Sequence, residues 1–337
     1  MKFCVIGDPA DQKPRFSSSI IVSELNKAAK LLGLFDENGI ILKWDGCCNT
    51  HGDKVDVLLC SYELLFPDIL IRHAGGRPIL GVSSDNYRFI RTGGHPEELT
   101  GSFRLGVDSE LFYPVVKTKN LDKFVVALNS ESLVRGGFEL GIEAFGKLFA
   151  DDYSARLIIK DRNSTDKFRE YVKQRKKYFN IDLVYLNEHW LDISTTRDFY
   201  QGVDCVLQLN RSSTFNMPVM EALAMSIPTI VVPYSGPRDY CNNENSCLVY
   251  YELSSVSREL QKLIDIGCRN YFFLSGYPSD PVWARADIHS VMAQILSVKE
   301  NRDGFVDKIK QNARKTAEEY TWHRSAQELS KVLERWF

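Results

Sequence analysis

The stretch from Asn210 to Pro228 combines the residue types that could hold a phosphorylated ligand. An apolar strand pattern at 205–209 runs into a polar loop, and Pro218 then opens a helix pattern with Glu221 in its first turn. A loop that ends at a helix N-terminus presents unpaired backbone N–H groups and the positive end of the helix dipole, which bind phosphate. An ionised carboxylate in that turn would accept two hydroxyl hydrogen bonds, as a ribose supplies them. The spacing therefore fits a nucleotide diphosphate site, but taken alone it favours an ordinary strand–loop–helix crossover with a capping acid.

The composition is that of a soluble globular protein with room for two domains. Within 337 residues, 42 Lys and Arg stand against 44 Asp and Glu, so the net charge does not require nucleic acid or an anionic membrane as a partner. The eight cysteines form no C-x-x-C pair and several lie in apolar runs, which favours reduced, buried thiols. Neither a signal-peptide pattern nor a membrane-spanning run is present. We expect a soluble, cytoplasmic protein.

Short apolar runs alternate with helical patterns along most of the chain, which is typical of α/β domains with parallel sheets. The first third predicts strands at 2–7, 40–44, 55–60, 78–82 and 103–105, and a helix at 20–32. After a polar linker at 116–122, strands are predicted at 123–128, 156–160, 182–186, 204–209 and 229–232, with helices at 138–149, 167–178, 196–201 and 218–225. A helical tail from 302 breaks between 318 and 325, with a last helix from about Ser325. Two successive doubly wound units predict a ligand cleft at the carboxyl ends of their strands.

Six short motifs then occur in a fixed order. They are LGVDSELFYP at 105–114, VRGGFELGIEAF at 134–145, DFYQGVD at 198–204, the 210–228 stretch, SGPRD at 235–239 with NSCLV at 245–249, and the dipeptide Thr321-Trp322. In this order they resemble the retaining glycosyltransferases of family four, the group 1 transferases. The likeness is good from about Gly106 to Ile230 and thinner beyond.

The resemblance implies an α/β protein of the GT-B fold, in which two Rossmann-like, doubly wound domains face a cleft. It implies a short acceptor-side domain at 1–116, a nucleotide-sugar-binding domain at 117–310, and a C-terminal helix at 311–337 that packs back on the first domain. The implied reaction moves a sugar from a UDP- or GDP-linked donor to an acceptor hydroxyl with retention of configuration. Neither a metal nor another cofactor is implied, because basic side chains and helix dipoles neutralise the leaving diphosphate.

The resemblance assigns Glu221 to the ribose hydroxyls. Ser213, eight positions earlier, stands where the family has a second glutamate that acts near the donor sugar, so it takes that catalytic position without a carboxylate. The backbone amides that would serve the diphosphate belong to Thr214, Phe215, Asn216 and Met217.

A basic side chain at Arg135 aligns with a residue that contacts the diphosphate and assists its departure. Gly136 lets that loop approach the phosphates closely. A second basic residue is expected at Ser130 and is missing there. Lys160 or Arg211 could compensate, although a solvated surface charge is the simpler explanation for each.

Further candidates follow from the resemblance with less support from the residues. Asp239 lies near a later acidic position of the family, where a capping role is equally compatible. Asp85 is the candidate catalytic residue facing the sugar, ahead of His51, His73 and His95, and the amides at 17–19 could also face the phosphates. The basic run at 167–177 has the pattern of a solvated helix face, or else of a contact with a polyanionic acceptor.

Three alternative functions stay open at this level. The absence of a glutamate at Ser213 and a basic residue at Ser130 suits a weakly active or inactive nucleotide-sugar-binding partner protein. Another GT-B enzyme such as an epimerase or phosphorylase is the second alternative, and a glycosyltransferase acting on modified bases of nucleic acid is the third. The acceptor is left open among glycan, glycolipid, protein and modified nucleic acid, as is a peripheral contact with a membrane.

Overall fold

The structure, a computed structural model, describes about two thirds of the sequence. The described residues are 3–6, 24–25, 27–28, 31, 40–43, 57–61, 79–82, 89–91, 98–99, 104–115, 123–130, 134–161, 164–186, 193–213, 215–268 and 282–334. The chain divides into two compact units, one formed by Met1–Asp108 with Glu319–Phe337 and the other by Ser109–Glu318.

The first unit contains a six-stranded sheet. Its strands are β1 (Phe3–Ile6), β2 (Ile40–Lys43), β3 (Val57–Ser61), β4 (Ile79–Val82), β5 (Phe89–Arg91) and β6 (Glu98–Leu99). They are ordered β2-β1-β3-β4-β5-β6, with β1 to β4 parallel and β5 and β6 antiparallel. The four predicted parallel strands are confirmed, and residues 24, 25, 27, 28 and 31 of the predicted first helix are helical.

The strand predicted at 103–105 is wrong, since Arg104 and Leu105 do not belong to a strand. Leu105 is buried, so its apolar character reflects packing in an irregular segment rather than strand pairing. Two strands of three and two residues complete the sheet instead, and they are too short to show an alternating pattern.

The second unit is built on a fully parallel six-stranded sheet. Its strands are β7 (Phe124–Ser130), β8 (Ala155–Asp161), β9 (Leu183–Leu186), β10 (Cys205–Gln208), β11 (Thr229–Val231) and β12 (Cys247–Leu248), and an antiparallel ribbon follows with β13 (Tyr251–Ser255) and β14 (Val282–Ala286). The helices are α1 (Phe138–Phe149), α2 (Asp166–Phe179), α3 (Ile193–Tyr200), α4 (Met217–Ala224), α5 (Val256–Asp265), α6 (Ile288–Glu300) and α7 (Phe305–Glu319). The sheet order is β12-β11-β10-β7-β8-β9.

Burial explains why these residues form these elements. Val125, Val126, Ala127 and Leu128 of β7 are all buried, as expected for a parallel strand covered by helices on both faces. The buried aromatic residues Phe138, Phe145 and Phe149 of α1 recur at helical spacing, so that helix turns one apolar stripe toward the core. The predicted strands and helices between 123 and 232 are confirmed within a few residues at each end.

The tail breaks where the sequence predicts, although α8 (Trp322–Glu334) begins at Trp322 rather than near Ser325. It groups with the first unit. Arg104 donates to Glu328 from its backbone N–H at 2.8 Å and from Nε at 2.9 Å. Val107 donates its N–H to the Tyr320 carbonyl at 2.8 Å just before the helix. No helix among the described residues is both long and apolar enough to cross a bilayer.

Candidate functional site

The connections of the second sheet define one preferred position for a ligand. From β7 the chain proceeds outward through β8 to β9, whereas from β10 it proceeds the other way through β11 to β12. The crevice at the carboxyl ends of the two strands where the direction changes is the usual ligand site of such a sheet. Here those strands are β7 and β10, which pair side by side. The loops that follow them lead into the N-termini of α1 and α4.

The N-terminus of α4 has the features of an anion site. Asn216 precedes the helix in the left-handed conformation, with φ 65° and ψ 70°, and its carbonyl accepts from Val219 N at 2.9 Å. Its side chain does not cap the helix, and its buried Nδ2 group has no hydrogen-bond partner. Met217 is the first helical residue, so its N–H has no intrahelical acceptor. This N–H lies at the positive end of the helix dipole. Phe215, Asn216 and Met217 lie at this N-terminus, whereas Thr214 lies outside the described residues.

Tyr240 fixes the shape of this loop. Its hydroxyl donates to the Phe215 carbonyl, and its ring centroid lies 5.4 Å from that of Phe215. Nearby, the Ser213 carbonyl accepts from Gly236 N at 2.9 Å, at the start of the 3₁₀ turn Gly236–Asp239. Ser213 and the segment bearing the exposed Asp239 are therefore neighbours.

Glu221 lies one turn deeper than the sequence pattern predicts. The helix begins at Met217, so Glu221 is its fifth residue and belongs to the second turn; the first turn carries no acid. The prediction failed because the left-handed Asn216 starts the helix one residue before Pro218. Glu221 is buried, and its Oε2 accepts a hydrogen bond from the Tyr200 hydroxyl at 3.0 Å. A carboxylate can accept further hydrogen bonds. Because Glu221 lies in the second turn, it does not act as a capping acid for the helix dipole.

The loop before α1 touches the loop before α4 through the main chain. Gly137 has φ 73°, and a Cβ atom built there would lie 2.1 Å from the Leu209 carbonyl oxygen, so only glycine fits. Arg211 N donates to the Arg135 carbonyl at 2.7 Å. Arg135 is half-buried and Gly136 is buried, and both lie in this contact region.

The expectation that Lys160 and Arg211 are solvated surface charges is wrong. Both residues are about 1% exposed. Arg211 donates from Nη1 to the Val134 carbonyl at 3.1 Å and from Nη2 to Glu139, so protein groups occupy its guanidinium. Lys160 donates from Nζ to Thr196 Oγ1 at 3.3 Å, and Nζ lies 5.2 Å from the centroid of the Phe199 ring. Burial with such partners is the usual condition for a charge inside a protein.

Several sequence candidates lie outside the described residues. These are Asp85, His51, His73, His95 and the amides at 17–19. The basic run lies on α2, whose Phe168, Val172 and Phe179 face the core while Lys173 and Lys177 are exposed. This arrangement agrees with a solvated helix face.

Sequence reasoning missed several buried polar side chains of this region. Asn129 and Gln208 are buried at the carboxyl ends of β7 and β10, and Gln208 Nε2 donates to the Asn129 carbonyl at 2.5 Å. The available signal was a polar residue at the end of each apolar run. Tyr200 and Tyr240 carry no comparable local signal. Within the described ranges no three His, Cys, Asp or Glu side chains are grouped closely enough to hold a metal ion.

Comparison with known proteins supports a specific class for this fold and site. Residues 114–266 match the model of the family described as glycosyl transferases group 1. This segment contains the whole β7–β11 region and both loops of the candidate site. The fold is that of the GT-B glycosyltransferases, and the family match over this segment supports glycosyltransferase activity.

Solved structures agree with the fold over the whole chain at low sequence identity. Sucrose-phosphate synthase from Thermosynechococcus elongatus is similar with a TM-score of 0.68 and 12% identity, over 99% of this chain and 98% of that one. A glycosyltransferase from Rickettsia africae has a TM-score of 0.64 and 12% identity, with the same coverage of 99% and 98%. Anabaena HepE in complex with UDP has a TM-score of 0.61 and 12% identity, over 99% of this chain and all of that one. No curated protein sequence matches the chain.

Proposed function

We propose that the protein transfers a sugar from a nucleoside-diphosphate donor to an acceptor hydroxyl, with retention at the anomeric carbon and without a metal. In this reaction the bond between the sugar and the diphosphate breaks, the acceptor oxygen bonds to the same carbon, and the acceptor proton leaves with the diphosphate. One observation carries the proposal. The N-terminus of α4, with the unpartnered Asn216 Nδ2 and the Met217 N–H, and the buried carboxylate of Glu221 lie on one helix beside the point where the sheet changes direction.

The diphosphate is assigned to the amides of residues 215–217 and to Arg135. The helix dipole and the N–H donors favour the negative charge that grows on the leaving group. An arginine fork suits phosphate oxygens, and Arg135 is attached to this region through its own carbonyl and Arg211 N. Because these groups supply positive potential, the proposed reaction needs no metal. The resemblance to family four supports retention.

The ribose is assigned to Glu221. A carboxylate offers about four lone-pair positions, and the Tyr200 hydroxyl occupies one of them. UDP is the first donor nucleotide to test, since Anabaena HepE was solved with UDP, and with UDP and glucose. GDP is the alternative. Acceptor binding is assigned to the first unit, on the resemblance alone.

Titration calorimetry with UDP, GDP, ADP and CDP tests the donor assignment. We expect one of them to bind, and Glu221→Gln to weaken it at least tenfold because a neutral amide is a poorer acceptor for paired hydroxyls. Glu244→Gln is the matched control, since Glu244 lies in an exposed turn of the same unit. Equal affinities of wild type and Glu221→Gln would exclude the ribose assignment.

Activity is tested separately by following release of the nucleoside diphosphate from its sugar conjugates, with and without EDTA. Unchanged turnover in EDTA is expected, and the product linkage read by NMR should keep the configuration of the donor. Tight nucleotide binding without any turnover across sugars and acceptors would indicate a binding protein rather than a transferase.

A further inference from the structure

A buried chain of three side chains connects the sheet to Glu221. Asn129 at the end of β7, Tyr200 at the end of α3 and Glu221 in α4 are 6%, 1% and 6% exposed. Asn129 Nδ2 lies 2.6 Å from the Tyr200 hydroxyl oxygen, which in turn lies 3.0 Å from Glu221 Oε2. Residues far apart in sequence thus form one hydrogen-bonded chain that ends at the Glu221 carboxylate.

The chemistry of the three groups fixes the direction of these bonds. A phenol has one proton to donate, and a carboxylate can only accept. If the amide oxygen of Asn129 faced Tyr200, the hydroxyl could satisfy only one of its two neighbours. With the amide NH₂ facing Tyr200, the hydroxyl accepts from Asn129 and keeps its own proton for Glu221. The Pro218 carbonyl, at 3.4 Å, is a longer second acceptor for the same hydroxyl.

The ring of Tyr200 and its hydroxyl have separable roles. The ring packs at an angle against Phe112, with centroids 6.4 Å apart, and against Phe199 at 5.2 Å. A phenylalanine would fill the same space. The hydroxyl is the part that acts on Glu221, because it holds one carboxylate oxygen in place and leaves the remaining acceptor positions in a fixed direction.

We propose that Tyr200 is a positioning residue that aims the Glu221 carboxylate at the ribose hydroxyls of the donor, and that Asn129 directs the Tyr200 hydroxyl onto it. The inference rests on the proposed function, since it requires Glu221 to bind ribose. It adds two residues, neither of which touches the donor. Tyr200 therefore affects only that part of the affinity that depends on the ribose hydroxyls.

The test compares each nucleoside diphosphate, UDP, GDP, ADP and CDP, with its 2′,3′-dideoxy analogue by titration calorimetry of the full chain. For wild type we expect the dideoxy analogue of the bound nucleotide to bind more weakly. For Tyr200→Phe we expect the affinity for the ribonucleotide to fall about tenfold, the effect of losing one hydrogen bond to a charged group, and the affinity for the dideoxy analogue to stay the same. Tyr178→Phe, at an exposed tyrosine, is the control and should change neither.

A second variant covers the case in which Tyr200→Phe does not fold. Asn129→Leu removes the donor that directs the hydroxyl, so the hydroxyl can turn to the Pro218 carbonyl; the same selective loss is expected at a few-fold. In the Glu221→Gln background both substitutions should have no further effect, because the group that they position has gone.

The outcomes distinguish a failure of the positioning role from a failure of the proposed function. If Tyr200→Phe and Asn129→Leu lower the affinities for both nucleotide forms by equal factors, the positioning role is refuted and the nucleotide site stands. If wild type binds none of the four nucleotides, the proposed function fails and the positioning role fails with it. If wild type does not distinguish ribose from dideoxyribose, the ribose assignment and this inference are both overturned while nucleotide binding is retained.

Discussion

Arg211 and Glu139 form an ion pair inside the second unit, with Arg211 Nη2 donating to Glu139 Oε1. The Arg211 side chain is 2% exposed and that of Glu139 is 14% exposed. Arg211 lies in the loop before α4 and Glu139 in the first turn of α1. The pair thus ties the loop before α4 to the first turn of α1.

Removing one partner of this ion pair should destabilise the folded protein. Arg211→Met leaves the mostly buried Glu139 carboxylate without its cation, and we expect the free energy of unfolding to fall by about 3–5 kcal/mol. Urea unfolding measures it. Arg211→Met with Glu139→Leu should recover part of the loss because no buried charge is left.

The control for this pair is Lys147→Met. Lys147 pairs with Glu143 at 3.7 Å on the surface of α1, so about 0.3–0.5 kcal/mol is expected. Similar losses of unfolding free energy in Arg211→Met and Lys147→Met would show that the buried pair stabilises the fold no more than the surface pair does.

Gly137 should not tolerate a side chain. Gly137→Ala places a Cβ 2.1 Å from the Leu209 carbonyl oxygen in a residue with φ 73°. The left-handed conformation alone costs about 1–2 kcal/mol, and the clash adds to it. Thermal and urea unfolding should show the loss, and nucleotide affinity should fall because the loops move apart. Gly202→Ala is the comparison, since its Cβ meets nothing within 4 Å; stability equal to wild type is expected there. A Gly137→Ala protein as stable as Gly202→Ala would contradict this account of the contact.

Tyr240 should influence the diphosphate side of the site rather than the ribose side. Tyr240→Phe removes the hydrogen bond to the Phe215 carbonyl and loosens the amides of the following residues. We expect ribonucleotide and dideoxynucleotide affinities to fall by the same factor, about fivefold to tenfold. Calorimetry on both ligands measures it. A loss confined to the ribonucleotide would place Tyr240 on the ribose side instead.

The buried cysteines should be unreactive in the folded protein. Burial raises the pKa of Cys241 and Cys247 to about 12, and it raises the pKa of Cys205 and Cys268 as well. At pH 8 a thiol with a pKa near 12 is ionised in about one molecule in ten thousand, and the thiolate is the reactive form. Iodoacetamide should therefore label these four residues only in denaturant, as mass spectrometry would show. Rapid labelling of any of them at pH 8 in buffer would contradict its burial.

The same shifts predict how stability depends on alkaline pH. The folded state binds the thiol protons more tightly than the unfolded state, whose thiols ionise near their ordinary pKa of about 9. The contribution to stability is complete below pH 9 and declines as the pH rises toward 12. Urea midpoints should fall over this range, and Cys241→Ala with Cys247→Ala should fall less steeply. Parallel slopes would exclude these thiols as the cause.

The sequence predicted the elements that carry a strong periodic signal. Helix α1 matches its predicted bounds because Phe138, Phe145 and Phe149 recur on one face. The strands of the second sheet were recognisable because a strand buried on both faces is apolar throughout. By contrast, Tyr251, Glu252 and Leu253 of β13 are all exposed, so no alternation indicated that strand.

Within the candidate site, the sequence located the loop before α4 but not its surroundings. The burial of Lys160 and Arg211 could not be predicted, because a charged residue is exposed in most proteins and only the partners supplied by the fold reverse this. Asn129 and Tyr200 are 71 positions apart, and Tyr200 and Glu221 are 21 positions apart, so their contact follows from the order of the strands rather than from any local pattern.

The contact of Gly137 with Leu209, and that of Arg211 N with the Arg135 carbonyl, join the two loops main chain to main chain. Peptide groups have the same dimensions whatever side chains they carry. Apart from the glycine, the separation of the two helix N-termini is therefore largely insensitive to substitution. Side chains in the two loops can therefore change, while the separation of the N-termini of α1 and α4 stays the same.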